Sequence, residues 1–517
     1  MDLIRDNWLS GVGFLGNSID FSPVQLGFDS LQDIRSSRPD FHGATYQFLI
    51  GLLQTAYAPQ DIEEWRERYE TAPTEEELTA AFEPLRDAFF LENDGAAFMQ
   101  DLNLPEQVNH LSVLDLLIDA GSSSNLYFNK PDPDHGMCES CFAQALLTLQ
   151  LNAPSGGRGI RTSLRGGGPL TTLLVPVQAD ATLWQRVWLN VLPLDALTFS
   201  AVKTLSDILP WMATTRTSDD QGGRETPPDS VHPLQAYWSM PRRIRLDAST
   251  SIVGDCSVCG ATHIRLIRQY LTRHGGTNYT GTWLHPLTPY SLDAKGEKPP
   301  LSIKGRHAGR GYRDWLGLVL GNDEHQPDAA HVVSHFISKV QRPDVRLWCF
   351  GYDMSNMKAL CWYDSTLPVH RVSPHNQRLF TKNIKLILDS ANDMASMLHK
   401  QVKAAWFRRP GDAGSEPVVN QSFWQSSEKL FYDVLRNMSE LDFESDDELA
   451  QVFRRWLHET RGLALGLFDH WALSGPIEHT DLQRVVKARA DLAKELSSGK
   501  AIKPLWKIAS ELKKEKA

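Results

Sequence analysis

The chain has 517 residues, a formal net charge of −10 at pH 7 and a hydrophobic content of 41%. At about 150 residues per domain, this length predicts two to four domains with apolar material enough for buried cores. The acidic balance argues against a free-standing nucleic-acid binder, since such proteins are usually basic, so any nucleic-acid contact must rest on local patches or on a larger assembly. We see no secretory signal and no apolar run long enough to span a membrane, and we expect a cytoplasmic protein.

The first 120 residues mix helical and irregular patterns. Apolar periodicity predicts helices within 44–57 and 62–90, and Thr74 with Glu77 has the spacing of a capping box. Residues 11–16 match the dinucleotide-binding pattern G-x-G-x-x-G. No βαβ unit surrounds them, so this motif is discounted.

Four of the six cysteines form two Cys-x-x-Cys pairs, Cys138/Cys141 and Cys256/Cys259. Two such pairs in a cytosolic chain favour a four-thiolate zinc site, although the pairs lie much farther apart than in a zinc ribbon. The alternatives are two unrelated turns with reduced thiols or a redox site. Zinc held by four thiolates would be structural, because no coordination position stays open for chemistry. We expect Cys349 and Cys361 to lie in the core.

Residues 154–172 interleave six glycines with Arg158, Arg161 and Arg165. Glycine allows the backbone to approach a phosphate or a groove floor closely, and arginine adds a charged donor fork, so the segment suits contact with a duplex backbone. A solvated surface loop is the alternative. In 125–136, Tyr127 and Phe128 suit stacking on an unpaired base, and a Phe packed in the core is equally compatible.

Residues 212–232 resemble a mobile surface loop, and 344–353 resemble a strand. Ser355 and Asn356 then fall at a turn. From Pro374 onward, apolar residues at steps of three and four predict a long helix, and three more helical patterns cover 422–438, 445–472 and 478–514. Four helices with short connections predict an up-down four-helix bundle over 374–517, after a mixed α/β domain over 1–373.

No catalytic signature stands out. The chain lacks a Walker loop, H-E-x-x-H, G-x-S-x-G and an evident acidic metal cluster, so we expect a protein without enzymatic activity.

The motifs, taken in order, resemble the CasA family, the large subunit of the type I-E CRISPR surveillance complex Cascade. The segments that carry the resemblance are "LIRDNWLS", "NLYFNKP", "CESC", "SLRGGGPLTTLL", "CSVCG", "WLHP" (283–286) and "GYDMSNMKA", followed by a helical C-terminal part. They span more than 350 residues in family order.

The resemblance implies a large mixed α/β N-terminal domain, an α+β fold overall, and a C-terminal four-helix bundle. It implies a non-catalytic subunit that recognises the protospacer-adjacent motif of double-stranded DNA from the minor groove. Such a subunit helps to open the duplex for pairing with the guide RNA and helps to recruit a helicase-nuclease. The implied partners are the guide RNA, the target DNA, the helicase-nuclease and the other Cascade subunits.

The resemblance also assigns residues by position. The family's glycine loop resembles Gly156, Gly157, Arg158 and Gly159, with Arg158 where a small residue is often found. The wedge, a glutamine in the best-known member, resembles Asn356 beside Ser355. The segment that matches the lysine finger holds Arg268, Arg273 and His274 but no lysine. Phe128, Asn129 and Lys130 match a loop that contacts the guide RNA and neighbouring subunits. Separately from the resemblance, the chemistry of the glycine-rich segment leads us to expect that Arg161 and Arg165 contact phosphate.

Two other functions remain open at this stage. One is a cytosolic metal-dependent nuclease or hydrolase on the same scaffold, which would need an open metal position or a carboxylate cluster. The other is a purely structural assembly scaffold whose loops contact only protein.

Overall fold

The computed structural model describes residues 1–119, 135–157, 159–197, 204–218, 223–293, 295, 297–306, 311–321, 327–340, 342–355, 358–412, 417–441, 443, 446–473 and 481–511. The chain forms two compact units. The first is Met1–Gly309 with Gly321–Thr366, and the second is Arg310–Leu320 with Leu367–Ala517. The units therefore divide after Thr366, before the position that the change in sequence pattern indicated, and a short segment ahead of Gly321 belongs with the helices.

Short strands dominate the first unit. In the described residues they are β1 (Leu9–Gly13), β2 (Ser18–Phe21), β3 (Leu31–Ile34), β4 (Asn109–Ser112), β5 (Thr171–Pro176), β6 (Glu225–Thr226), β7 (Arg243–Leu246), β8 (Ile252–Gly254), β9 (Ile264–Leu266), β10 (Gln269–Arg273), β11 (Asn278–Tyr279), β12 (Tyr290–Ser291), β13 (Leu301–Ser302), β14 (Pro327–Asp328), β15 (Val345–Ser355) and β16 (Lys358–Pro368). They form small separate sheets, in the orders β2-β1-β3, β4-β10-β7, β13-β12-β14 and β16-β15-β5, with the pairs β6-β11 and β8-β9.

The longest helices of the described residues belong to the second unit. In the described residues they are α1 (Pro39–Ala56), α2 (Ile62–Glu70), α3 (Glu75–Phe82), α4 (Glu139–Asn152), α5 (Leu183–Trp188), α6 (Trp315–Val319), α7 (His331–His335), α8 (Gln377–Trp406), α9 (Pro417–Glu440), α10 (Asp446–Leu473), α11 (Leu482–Ser498) and α12 (Ile502–Glu511). None of these helices is long and apolar enough to cross a membrane. Thr74 and Glu77 form the predicted capping box at the start of α3.

Helix α1 is the centre of the first unit. It is buried on nearly all sides, which is expected of a helix that is apolar around its whole circumference. It packs against α4 and α5, and the ring of Phe48 contacts those of Trp8 and Trp238 edge to face. The hydroxyl of Tyr352, on β15, is hydrogen-bonded to Asp40 in the first turn of α1, which ties this core to the β15 and β16 strands.

The discounted glycine motif at 11–16 forms a β-hairpin. Gly11 and Gly13 belong to β1, and Gly16 turns the chain into β2 with a φ of 78°. Cβ atoms at Gly11 and Gly13 would approach strand β3 and the turn too closely, so these glycines serve strand packing. The motif therefore forms part of a β-hairpin, consistent with its having been discounted as a dinucleotide-binding loop.

The second unit is a helical bundle centred on α8 and α10, which contact each other and most of the other helices. The predicted apolar face of α8 is confirmed, since its members are almost inaccessible to solvent: Phe380, Ile384, Ile387, Ala391, Met394, Leu398 and Val402. The last predicted helix, 478–514, is divided at Gly499 into α11 and α12. The segment before Gly321 joins this unit through Tyr312, which stacks on Phe431 at 4.4 Å and shares a 2.7 Å hydrogen bond with Ser427.

Candidate metal centre and nucleic-acid interface

The two Cys-x-x-Cys pairs meet in the first unit. The sulfur atoms of Cys138, Cys141, Cys256 and Cys259 all lie within 4.8 Å of one another, and none forms a disulfide. Three of these side chains are buried and Cys259 is exposed. In the described residues this is the one group of three or more His, Cys, Asp or Glu side chains close enough to hold a metal ion.

Local backbone geometry places each pair. Cys138 is the N-cap of α4, where its sulfur accepts a hydrogen bond from the amide of Cys141 at 3.4 Å. Cys256 and Cys259 lie in the turn between β8 and β9, which Gly260 closes with a φ of 75° and an amide bonded to the carbonyl of Cys256 at 3.0 Å. The amide of Cys138 also donates to the sulfur of Cys256 at 3.3 Å, which joins the two halves.

The cluster fits a tetrahedral metal ion. With zinc–sulfur bonds of about 2.3 Å, tetrahedral geometry separates two sulfur atoms by about 3.8 Å. The sulfur atoms of Cys138 and Cys259 are 3.8 Å apart. Hydrogen bonds from Cys138 and Cys141 lower the pKa of Cys256, and hydrogen bonding with Cys138 and Cys256 raises the pKa of Cys141. Cys141 and Cys256 therefore differ in how readily they ionise, and a cation at the centre of the cluster would favour the thiolate form of its ligands.

The glycine loop contacts the end of β10. Gly157 and Gly159 have φ angles of 93° and 76°, in the left-handed region that favours glycine. The carbonyl of Gly159 accepts a hydrogen bond from the amide of Gly275 at 2.8 Å, and a Cβ on Gly159 would lie 3.1 Å from the Cβ of His274. The structure thus brings two of the predicted elements, the glycine loop and the lysine-finger segment, into direct contact.

The three basic residues of the lysine-finger segment do not all lie at the glycine loop. Arg273 ends β10, where its Nη1 donates to the carbonyl of Gln107 at 2.8 Å, and His274 beside it is exposed. Arg268 precedes β10 at the other end. Arg268 lies five positions before Arg273, and an extended chain rises about 3.3 Å per residue, so the two arginines lie roughly 16 Å apart. Arg273 and His274 therefore lie at the glycine loop, and Arg268 does not.

A further segment, which the sequence pattern did not assign to the site, lies beside this contact. Ser218 donates from its amide to the carbonyl of Gly275 at 2.9 Å and from its hydroxyl to the carbonyl of Gly276 at 2.6 Å. Arg161 donates from Nε to the Ser218 hydroxyl at 2.8 Å. The part of the expected surface loop that the structure describes here is thus hydrogen-bonded to its neighbours, and 219–222 lie outside the described residues.

Arg165 requires a correction. It was expected to contact phosphate, but it is 3% exposed, and its guanidinium donates to Gln47 at 2.8 Å, Thr171 at 3.0 Å and Thr288 at 3.1 Å. Burial lowers its pKa to about 10. Arg165 therefore holds the glycine-rich segment onto α1 and β5 from inside the fold and cannot reach a ligand at the surface.

The turn predicted near residue 356 falls on 356–357, which lie outside the described residues, between two long strands that pair with each other. Strand β15 ends at the exposed Ser355, and β16 begins at Lys358. Cys349 on β15 is buried as expected, whereas Cys361 on β16 is half-buried. Several predicted residues lie outside the described part of the chain, and their assignments stay predictions: Arg158, Asn356, Phe128, Asn129 and Lys130.

The family model for CRISPR-associated protein Cse1 matches residues 2–467. The chain belongs to the Cse1 family. This confirms the family that the ordered motifs indicated, and the match covers nearly all of the first unit and the second unit as far as residue 467.

Solved structures share the fold of this Cse1-family chain. CasA of Thermus thermophilus aligns with a TM-score of 0.69 at 18% identity, over 96% of this chain and 99% of that chain. Cse1 of Thermobifida fusca aligns with a TM-score of 0.66 at 16% identity, over 98% of each chain. A chain of a CRISPR RNA-guided surveillance complex aligns with a TM-score of 0.69 at 16% identity, over 96% and 99%. The mixed α/β fold with C-terminal helices is therefore confirmed.

Proposed function

We propose that this Cse1-family chain is the large subunit of a type I-E Cascade complex, in which it recognises the protospacer-adjacent motif of double-stranded DNA from the minor groove. Membership of the family and the shared fold with a chain of an RNA-guided surveillance complex support the subunit role. The observation that carries the recognition role is the contact between the glycine loop and the end of β10, at Gly159 and Gly275.

The chemistry of this contact suits a minor groove. Backbone without side chains at Gly157 and Gly159 can approach a groove floor, and Arg273 and His274 supply cationic or polar groups beside it. The minor groove distinguishes mainly A·T from G·C pairs, so such a reader would accept several motifs. Ser355 and Asn356 at the hairpin tip would act as the wedge that enters the duplex next to the motif.

The guide RNA would read the target sequence by base pairing, while the protein reads only the short motif. Opening a duplex costs a few kcal/mol per base step, so the wedge needs the rest of the complex to hold it in place. The net charge of −10 is compatible with this role, because basic neighbouring subunits of the complex can supply the attraction to the DNA phosphates. In this role the chain carries no catalytic activity and works in the cytoplasm. After the duplex has been opened, the chain helps to recruit the helicase-nuclease.

We further propose that the four cysteines hold a structural zinc ion. Zinc is the usual occupant of a tetrahedral four-thiolate site, and thiolates would fill every coordination position. The ion would join the start of α4 to the turn between β8 and β9. This linkage lies in the same unit as the glycine loop and stabilises the scaffold on which the DNA-contacting segments stand.

The site assignment is tested with assembled complexes carrying the triple substitution Arg273→Ala, His274→Ala and Asn356→Ala. We expect intact assembly and about a tenfold or greater loss of affinity for a duplex with a favoured flanking motif. Arg455→Ala, an exposed helix arginine in the second unit, is the matched control and should bind normally. Unchanged motif-dependent binding by the triple variant would contradict the assignment, and normal target binding by a complex lacking the chain would favour a pure scaffold.

A further inference from the structure

The hairpin of β15 and β16 is fixed to α1 close to its tip. Tyr352 lies three residues before Ser355, the last residue of β15. Its hydroxyl donates a 2.5 Å hydrogen bond to Oδ2 of Asp40, in the first turn of α1. Both side chains are buried, at 0% and 1% exposure. A buried hydrogen bond to a charged group contributes more than an ordinary one, so this contact is a strong point of attachment.

Asp40 is itself firmly held. Arg38 donates to its carboxylate from Nε at 2.9 Å and from Nη2 at 3.1 Å, and the amide of Phe41 donates at 3.0 Å. Arg38 also bonds Asp119 at 2.6 Å. The carboxylate lies at a helix N-terminus, where the macrodipole favours negative charge. The acceptor of the Tyr352 hydroxyl is therefore a buried carboxylate that is paired with Arg38 on the central helix of the first unit.

Two glycine segments also approach the backbone of Tyr352 closely. A Cβ at Gly168 would lie 2.7 Å from the carbonyl oxygen of Tyr352, and a Cβ at Gly305 would lie 2.4 Å from the same oxygen. The Tyr352 ring also packs edge to face on Trp362 of β16 at 4.9 Å. The hairpin is thus held at Tyr352 by Asp40 and lies in close contact with two glycine segments, and only about 10 Å of strand extends from Tyr352 to Ser355.

We propose that Tyr352 is a positioning residue whose hydrogen bond to Asp40 sets the direction and stiffness of the hairpin tip when the tip enters a DNA duplex. This inference rests on the proposed function and names the contact through which the tip is supported. A duplex resists the wedge by a few kcal/mol per unstacked step, and that resistance bends a tip that has no rigid support. Through its hydrogen bond with Asp40, Tyr352 braces the tip against α1, while the residues at the tip contact DNA.

The test separates support of the wedge from general packing. Complexes containing Tyr352→Phe are compared with wild type on a fully paired target with a favoured motif, and on the same target with mismatches that pre-open the pairs next to the motif. Tyr352→Phe keeps the ring packing and removes only the hydroxyl. We expect about a tenfold loss of affinity for the paired target and less than about a twofold loss for the pre-opened target.

Two other variants make the result decisive. Asp40→Asn removes the acceptor charge with little change of shape, and it should give the same pattern. Tyr237→Phe removes a buried hydroxyl that has no hydrogen-bond partner in the described residues, and it should match wild type on both targets.

Each outcome bears on the proposal. Equal losses on paired and pre-opened targets would show a general packing role and overturn it, as would wild-type affinity of Tyr352→Phe for both targets. Failure of the wild-type complex to distinguish a favoured from a scrambled motif would instead overturn the proposed function itself. That failure is seen before any variant is compared.

Discussion

Gly275 donates a 2.8 Å hydrogen bond from its amide to the carbonyl of Gly159, and this bond joins the glycine loop to the segment that follows β10. A side chain at either partner is restricted, because Gly159 has a φ of 76° and Gly275 a φ of 79°. The bond aligns two backbone segments beside Arg273 and His274. It holds together the two described backbone segments of the proposed recognition surface.

The substitution Gly159→Ala tests this arrangement of the two segments. We expect it to destabilise the loop by about 1–2 kcal/mol, since an L-residue is strained at positive φ, and the new Cβ would press on His274. The complex should lose discrimination between favoured and scrambled motifs while still assembling. Gly95→Ala meets no atom within 4 Å and serves as the control. Full discrimination by Gly159→Ala in a filter-binding or fluorescence assay would contradict the role of the loop.

Substitutions of Arg161 and Arg165 should affect different properties: DNA binding for Arg161 and the stability of the fold for Arg165. We expect Arg165→Met to lower the free energy of unfolding by about 2–4 kcal/mol, because three buried polar partners lose their donor. Arg161→Ala should change that free energy by less than about 1 kcal/mol. If Arg161 contacts phosphate, its loss should reduce the slope of log affinity against log salt by about 1. An unchanged slope would mean that Arg161 only holds Ser218.

The cysteine cluster should bind about one zinc ion per chain, and it should accept cobalt with the spectrum of a tetrahedral thiolate site. Cys138→Ser and Cys256→Ser should lower the metal content and the melting temperature together. Cys361→Ser, outside the cluster, should leave both near wild type. Elemental analysis with thermal melts checks this, and a metal-free wild-type chain that takes up neither ion would contradict it.

Acid should destabilise the first unit through His285. Burial, aided by the charge of Arg165, lowers the pKa of His285 well below its usual value. In the unfolded chain this pKa is about 6.5, so below that pH the unfolded state takes up a proton that the folded state excludes. The stabilisation is therefore complete above about pH 6.5 and falls by up to about 1.4 kcal/mol per pH unit below it.

His285→Asn should reduce that pH dependence, because the amide oxygen can still accept the hydrogen bond from Leu287 but does not titrate. His263→Asn, at an exposed residue with a φ of 55° that asparagine tolerates, should retain the wild-type slope. Urea midpoints between about pH 7.5 and pH 5.5 measure both. A wild-type slope in His285→Asn would show that the acid sensitivity arises elsewhere.

Periodic and paired patterns in the sequence predicted local structure well. The apolar positions of α8, the Thr74–Glu77 capping box and the meeting of the two cysteine pairs all follow from spacing and residue chemistry. The division of the last helix at Gly499 could not be read from periodicity, because the apolar pattern continues on both sides.

Contacts between distant segments were the least predictable. Arg165 looked like a surface cation beside glycines, and only its three buried partners, distant in sequence, show that it is internal. The resemblance placed Arg268 and Arg273 in one segment, but β10 is extended, so the two arginines lie roughly 16 Å apart. No sequence pattern pointed to a contact between Tyr352 and Asp40, because their hydrogen bond depends on how β15 packs against α1.

The central claim is that this chain reads the motif that flanks the target. The most direct measurement is a binding selection in which the complex, assembled with a guide RNA, is offered duplex targets carrying a randomised flanking motif, with and without the chain. We expect enrichment of a limited set of motifs only when the chain is present, and loss of that enrichment in Gly159→Ala. Equal binding and equal selectivity without the chain would contradict the claim and would leave the chain with a structural role only.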